Sequence, residues 1–289
     1  MSPEPGLAPG LYLVATPIGN LEDITLRALR VLKEADRIAC EDTRQTQKLL
    51  NHFAISTSTI SYHEHNEQSR TPELIALLQQ GGRVAVVSDA GTPAFSDPGL
   101  DLVRAAVAAG IPVIPIPGAN AALSALVASG LDTDRFFYAG FLAAKPGTRR
   151  TELEALAVRM AGLTLVVYEA PHRILETLTD VEAVWGESAH VVVARELTKL
   201  HEEFLRGTVR EVRLELAARE RIRGEIVLLI EAAAVAPPAN AGGSVLLQMT
   251  QLMEAEALDE KDALKRVARE RGVSKSEVYR ELQRERSKK

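Results

Sequence analysis

The sequence predicts an α/β protein of two lobes followed by a basic helical extension, and three observations carry that expectation. Strand-like runs rich in Val, Ile and Leu alternate with helical-period segments from residue 11 to residue 231, the pattern of strand–helix–strand units. The runs Val84-Ala85-Val86-Val87 and Ile111 to Ile116 are apolar throughout, as strands covered on both faces are. A length of 289 residues suggests about two domains and is ample for a packed core.

Taken in order, the first lobe (residues 1–117) has strands at Leu11–Thr16, Arg37–Glu41, Thr59–Tyr62, Arg83–Ser88 and Pro112–Pro115. Helices fit between them at Thr25–Ala35, Thr43–His52, Thr71–Gln80 and Leu100–Ala109. The second lobe (residues 118–235) opens with a helix at Ala119–Gly130. Its strands are Phe136–Phe141, Leu163–Tyr168, His190–Arg195, Glu203–Gly207 and Glu225–Glu231, with helices near Arg149–Met160, Pro171–Trp185 and Val209–Ala218. The two halves do not repeat each other. Prolines and glycines make residues 236–244 a linker. Beyond it the tail, 245–289, reads as three helices at Val245–Leu258, Asp262–Arg271 and Ser274–Arg286, resembling a helix-turn-helix unit. Ala263, Leu264, Val267 and Ala268 form an apolar face, Gly272 ends that helix, and Ser274 can cap the next.

Composition excludes several classes. Cys40 is the single cysteine, so an internal disulfide framework and a cysteine zinc site are out, which fits a reducing, cytoplasmic setting. The leader MSPEPGLAPG lacks the basic flank and apolar run of a secretory signal. The uncharged window from Ala105 to Leu131 is interrupted by Gly110, Pro112, Pro115, Pro117 and Gly118, so a buried strand and core helix fit it better than a membrane span. There is no G-x-G-x-x-G, no Gly-Lys pair and no H-E-x-x-H. The net charge of −5 is unevenly spread: residues 261–289 hold eleven Lys and Arg against five Asp and Glu, a net of +6, which leaves −11 on residues 1–260.

Open α/β sheets bind ligands at the carboxyl ends of their strands, and three loops there are rich in Gly and Pro. They are residues 16–23, 88–99 and 115–120. Each lets backbone approach a ligand while exposing N–H and C=O groups to it. The polar segments Glu41-Asp42-Thr43-Arg44 and His63-Glu64-His65-Asn66 offer groups for proton removal or positioning. In an extended segment His63 and His65 would share a face. A metal reading of His-Glu-His lacks a third ligand, and Glu41-Asp42 with Arg44 would equally serve as an ion pair at a helix start. Lys145, Arg149 and Arg150 flank Gly147 in a basic loop suited to phosphates, and Glu169 and Arg173 open a helix beside the expected cleft, where capping is the plainer role.

The ordered motifs TPIGNLEDIT, EDTR, HEHNE, SDAGTPAFSDPG, PGAN, GFLAAK, YEAPHR, ARELTK and RGE-IVLLIE resemble the tetrapyrrole-methylase superfamily over roughly residues 10–232. Within it they are most similar to the branch that methylates the ribose 2′-hydroxyl of a cytidine in 16S rRNA of the small ribosomal subunit. Pro117-Gly118-Ala119 and Ala143 depart from the Pro-Gly-Pro and Pro more usual there. The resemblance implies a class III methyltransferase fold, a homodimer, and S-adenosyl-L-methionine bound between the lobes. It places Pro17, Gly19 and Asn20, then Ser88, Asp89, Ala90, Gly91 and Pro93, then Gly118, Ala119, Leu197 and Glu225 at the cofactor. Catalytic candidates are Glu41, Asp42, Arg44, His63 and Asn66, and RNA-contact candidates are Lys145, Arg149, Arg150, Arg173, Lys275 and Arg280. A corrin or porphyrin methylase or a diphthine synthase gives no reason for the basic tail, and a metabolite-sensing nucleic-acid-binding regulator would transfer no methyl group.

Overall fold

The computed structural model describes residues 6–232, 244–256, 258–271 and 273–286. Residues 1–5 of the expected leader, the expected linker up to residue 243, and the expected helix stop at Gly272 lie outside the described residues.

The first sheet is parallel throughout. Its strands β1 (Gly10–Val14), β2 (Arg37–Cys40), β3 (Thr59–Ser61), β4 (Arg83–Val87) and β5 (Val113–Ile116) stand in the order β3-β2-β4-β1-β5. Successive side chains of a strand point to opposite faces. Ala85 and Val87 of β4 accordingly pack with Ala28, Leu32 and Leu50 from α1 (Leu26–Glu34) and α2 (Thr43–His52). Val84 and Val86 pack with Leu74, Leu78 and Leu102 from α3 (Glu67–Gln79) and α4 (Leu100–Ala108) on the other side. Helices on both faces are why β4 has no polar alternation.

The second sheet is mixed. It joins β6 (Phe136–Phe141), β7 (Leu163–Glu169), β8 (His190–Arg195), β9 (Glu203–Thr208) and β10 (Ile226–Ala232) in the order β6-β7-β10-β8-β9. Only β6 and β7 run parallel; the other neighbours are antiparallel. One face carries α6 (Pro146–Arg159), α7 (Ile174–Trp185) and α8 (Val209–Ala217), whose Leu153, Leu178, Val181, Val212 and Leu216 join the core. The opposite face carries α5 (Ala121–Ser129), whose Ala122, Ala125 and Leu126 lie with Val166, Val192, Ala194, Val227 and Leu229. Ile18 and Phe95 of the first lobe pack into that same cluster.

In the tail, α9 (Val245–Glu256), α10 (Glu260–Arg271) and α11 (Lys275–Arg286) close a separate core of Val245, Met249, Ala263, Leu264, Val267, Ala268, Val278 and Leu282. The Glu285 carboxylate accepts hydrogen bonds from Ser244 Oγ and from the amides of Val245 and Leu246, tying the end of α11 to the start of α9. Ser274 caps α11 as expected, with Glu277 returning a bond to its amide.

Three local expectations change. β1 stops at Val14 because Thr16 instead forms an isolated antiparallel bridge with Gly91. α7 starts at Ile174 rather than Pro171, after a turn in which the Arg173 amide donates to the Ala170 carbonyl. His63 to Asn66 is a turn and not an extended run: the Asn66 amide donates to the His63 carbonyl at 2.9 Å, and α3 begins at Glu67 instead of Thr71.

Candidate active site

The three Gly/Pro loops meet at the carboxyl edge of the first sheet and are tied to one another. The Thr16 amide donates to the Gly91 carbonyl at 2.9 Å and the Gly91 amide returns a bond to Thr16 at 3.0 Å. Thr92 Oγ1 donates to the Ala119 carbonyl at 3.1 Å, joining the second loop to the third. Asn120 caps α5 by accepting from the Leu123 amide. The Asp42 amide donates to Asp89 Oδ1 at 3.1 Å, which adds the end of β2 to the same assembly.

A cavity of about 420 Å³ lies between these loops and the second lobe. The first lobe contributes Ile18, Asp89, Ala90, Gly91, Phe95 and Asp97, and the second contributes Tyr168, Ala170, Ala194, Leu197, Glu225, Ile226 and Val227. An adjoining hollow of about 530 Å³ is lined by Pro17, Gly19, Ser88, Asp89, Ala90 and Glu225. Of the five non-glycine residues with positive φ among those described, four lie in two loops that border the cavity: Ala94 and Ser96, Glu196 and Thr198. Strained backbone of this kind persists where surrounding contacts hold it, and it gathers at functional sites.

The lobes touch closely here. A Cβ at Gly19 would overlap the Lys199 side chain, so only glycine lets the first loop meet the 196–202 turn. Lys199 Nζ reaches Glu196 Oε1 at 2.8 Å and Glu225 Oε2 at 3.0 Å. Phe95 stacks on Tyr138 with ring centroids 4.2 Å apart, and Ser96 Oγ lies 2.7 Å from the Tyr138 hydroxyl, which fixes the second loop against β6.

The electrostatics set two carboxylates apart. Burial, with the neighbouring charge of Glu41, pushes Asp97 up to about 6. Glu41 is raised as well, by burial and by Asp89, while His63 opposes the shift. Burial also raises the Tyr168 phenol. The His63 Nδ1 atom is buried without a hydrogen-bond partner. Among the described residues no group of three or more His, Cys, Asp or Glu is placed to hold a metal ion, and no helix is long and apolar enough to cross a membrane.

The expected residues separate accordingly. Ser88, Asp89, Ala90, Gly91, Pro17, Gly19, Leu197 and Glu225 line the two cavities. Asn20 instead caps a short turn at Leu21–Asp23, Pro93 is buried, Gly118 lies against Ala15, and Ala119 contributes its carbonyl to Thr92. Asp42 caps α2 and pairs with exposed Arg44. The Asn66 amide is engaged by Ser61 and His63 of its own turn.

Two of the RNA-contact candidates are instead engaged within the second lobe. Arg149 is 1% exposed and pairs with Asp180 at 2.7 Å and Glu176 at 3.3 Å, because α6 begins at Pro146 and turns this side chain onto α7. Arg173 is held at 2.6 Å by the fully buried Glu169 carboxylate, which also accepts from Thr177 and the Ala170 amide, so the pair anchors the start of α7 and leaves no free cation. Lys145, Arg150, Lys275 and Arg280 are exposed. The resemblance also points to the segments 194–198 and 225–227, and Ala194, Ile226 and Val227 do line the cavity; Asp97 and Tyr168 carry no assignment from the sequence although both stand inside quoted motifs, where the Asp-Pro-Gly setting of Asp97 was the available signal.

Two α/β sheets facing across a loop-lined cleft define a class, and the model of the family "Tetrapyrrole (Corrin/Porphyrin) Methylases" matches residues 10–213. The uroporphyrin-III C-methyltransferase of Thermus thermophilus, solved with S-adenosylhomocysteine, shares the fold at a TM-score of 0.54 and 19% identity, over 77% of this chain and 98% of that one. Closer in sequence are proteins named ribosomal RNA small subunit methyltransferase I. That of Halalkalibacterium halodurans is 50% identical over 93% of both chains, and that of Synechocystis sp. is 46% identical over 93% of this chain and 95% of its own. The chain belongs to the tetrapyrrole methylase family and, within it, to the group of ribosomal RNA small subunit methyltransferase I.

Proposed function

We propose that the protein transfers a methyl group from S-adenosyl-L-methionine to the ribose 2′-hydroxyl of a cytidine in 16S rRNA, acting on the small ribosomal subunit in the cytoplasm. The observation that carries this reading is 50% identity, across 93% of both chains, to a protein named ribosomal RNA small subunit methyltransferase I, joined to a cleft of suitable size and lining.

The residues present fit the cofactor. An adenosyl group needs an apolar slot with a few convergent polar groups. Ala194, Leu197, Ile226 and Val227 form such a wall, and the backbone of Asp89 to Gly91 faces it. The buried Thr198 hydroxyl beside Gly19 has no partner of its own. Bound there, the cofactor supplies an electrophilic methyl on a sulfonium.

The protein's own work is alignment and proton removal, since a ribose hydroxyl is a weak nucleophile. Asp97, raised to about 6, is still largely ionised at neutral pH and so is able to accept a proton there. Glu41, itself within reach of His63, holds Asp97 high by its charge. Asp42, Arg44 and Asn66 shape the loops that carry these groups. Phosphates of the RNA meet Lys145, Arg150 and, in the tail, Lys275 and Arg280. A second copy of the chain covers apolar side chains left in solvent on α5, where Val127 is 75% exposed and Leu123 47%.

Tritiated S-adenosylmethionine and small subunits from a strain lacking the enzyme test the reading. Label at one cytidine ribose is expected; no transfer to the subunit, with tight duplex DNA binding instead, would overturn it.

A further inference from the structure

Beside the cleft, on the second lobe, lies a separate cavity of about 320 Å³. Its rim holds Arg195, Arg219, Arg221, Arg223 and His201 against a single carboxylate, Glu196. That carboxylate is neutralised by Lys199 at 2.8 Å. Glu203, on β9, fixes two of the guanidiniums: it accepts from Arg195 Nε at 2.9 Å and from both Arg219 Nη atoms at 2.7 and 2.6 Å. Arg221 and Arg223 differ from these. Both are exposed, and among the described residues neither forms an ion pair or a side-chain hydrogen bond.

The segment that carries them is firmly held. Arg195 Nη1 donates to the Arg223 carbonyl at 3.1 Å, the Glu196 amide to the Glu225 carbonyl at 2.9 Å, and the Glu225 amide to Glu196 Oε1 at 3.1 Å. Gly224, at φ +91°, has no room for a side chain because a Cβ would overlap the Glu196 carboxylate. Glu203 satisfies Arg195 and Arg219, so the hollow keeps two guanidiniums, on Arg221 and Arg223, that have no carboxylate among the described residues and lie close enough together to repel one another until an anion joins them. Arg forks match the paired oxygens of a phosphate. The position also matters: Gly224, Glu225 and Ile226 line the large cleft, and two residues of chain span at most about 7 Å.

We propose that this arginine pocket is a phosphodiester-binding subsite that grips the backbone of the substrate RNA next to the nucleotide whose ribose enters the cleft. The proposal rests on the ribose-methylation reading. It gives the acidic body its own attractive point for RNA, separate from the basic tail, and it sets the register of the strand relative to the transferred methyl.

The test uses the full-length enzyme with Arg221→Gln/Arg223→Gln, and with Arg221→Lys/Arg223→Lys as the charge-preserving companion. For the glutamine variant the KM for small subunits is expected to rise about tenfold, with kcat within about twofold and cofactor Kd unchanged. The slope of log affinity against log salt for a single-stranded RNA oligomer should shrink by about 1.4, the share of two phosphates. The lysine variant should keep the slope and lose only part of the affinity. An unchanged slope and KM would overturn the subsite, as would a parallel loss of cofactor affinity, which would assign the pocket to the cofactor. Absence of methyl transfer by the unaltered enzyme would instead sink the ribose reading, and the salt slope separates the two failures.

Discussion

The two lobes face the same cleft with different chemistry. The first contributes loops from a parallel sheet, with backbone amides and the carboxylates Asp89 and Asp97, the latter under the charge of nearby Glu41. The second contributes strand residues of a mixed sheet, an apolar wall from Ala194 to Val227, and guanidiniums around it. All five strand ends of a parallel sheet point one way, so its loops converge and can share a task. In the second sheet antiparallel β8, β9 and β10 send their connections to opposite ends, and what faces the cleft is a side-chain surface. On the proposed reading, one lobe moves the proton and the other holds a flat apolar group and an anionic strand.

This division is breakable by experiment. Asp97→Asn removes the proton acceptor from the first lobe and should lower the methyl-transfer rate by about 10²–10⁴-fold without weakening cofactor binding, measured by single-turnover kinetics and calorimetry. In the unaltered enzyme the rate should rise with pH through about 6 and level off above it, because Asp97 must lose its proton to act as a base, and the variant should lose that step. Arg149→Ala tests the scaffold of the second lobe. Leaving Asp180 without its buried partner should destabilise the protein by about 3 kcal/mol in denaturant unfolding, with the salt dependence of RNA binding unchanged. Gly224→Ala should cost about 1–3 kcal/mol and also weaken cofactor binding, since it displaces the Glu196 turn at the cleft. Deleting residues 245–289 should have the smallest effect on the cleft: RNA affinity falls about tenfold and cofactor Kd stays the same, because the tail has its own core. Equal loss of both would place the tail within the catalytic body.

The two basic segments show how far residues alone can be read. Lys145-Pro-Gly-Thr-Arg149-Arg150 and Arg219-Glu-Arg-Ile-Arg223 look alike as sequence. In the first, helix phase turns Arg149 inward to Asp180 while Arg150 stays outside. In the second, the turn before β10 leaves Arg221 and Arg223 outward. Nothing in composition distinguishes them, because burial of an arginine depends on a carboxylate that another helix brings to it. The same holds for His63 to Asn66, where local side-chain bonding closes a turn that alternation alone would read as extended.

By itself the sequence determined the α/β class, the apolar strands covered on both faces, the three glycine and proline loops, the basic tail and the family. These follow from periodicity, glycine and proline placement and motif order, which are properties of neighbours in the chain. Tertiary structure alone decided that Thr16 bridges to Gly91, that Asp97 is raised by burial beside Glu41, and that four arginines surround one hollow next to the cleft. Burial and the Coulomb field depend on which distant segments are packed together, and that is known only once the lobes have closed on one another.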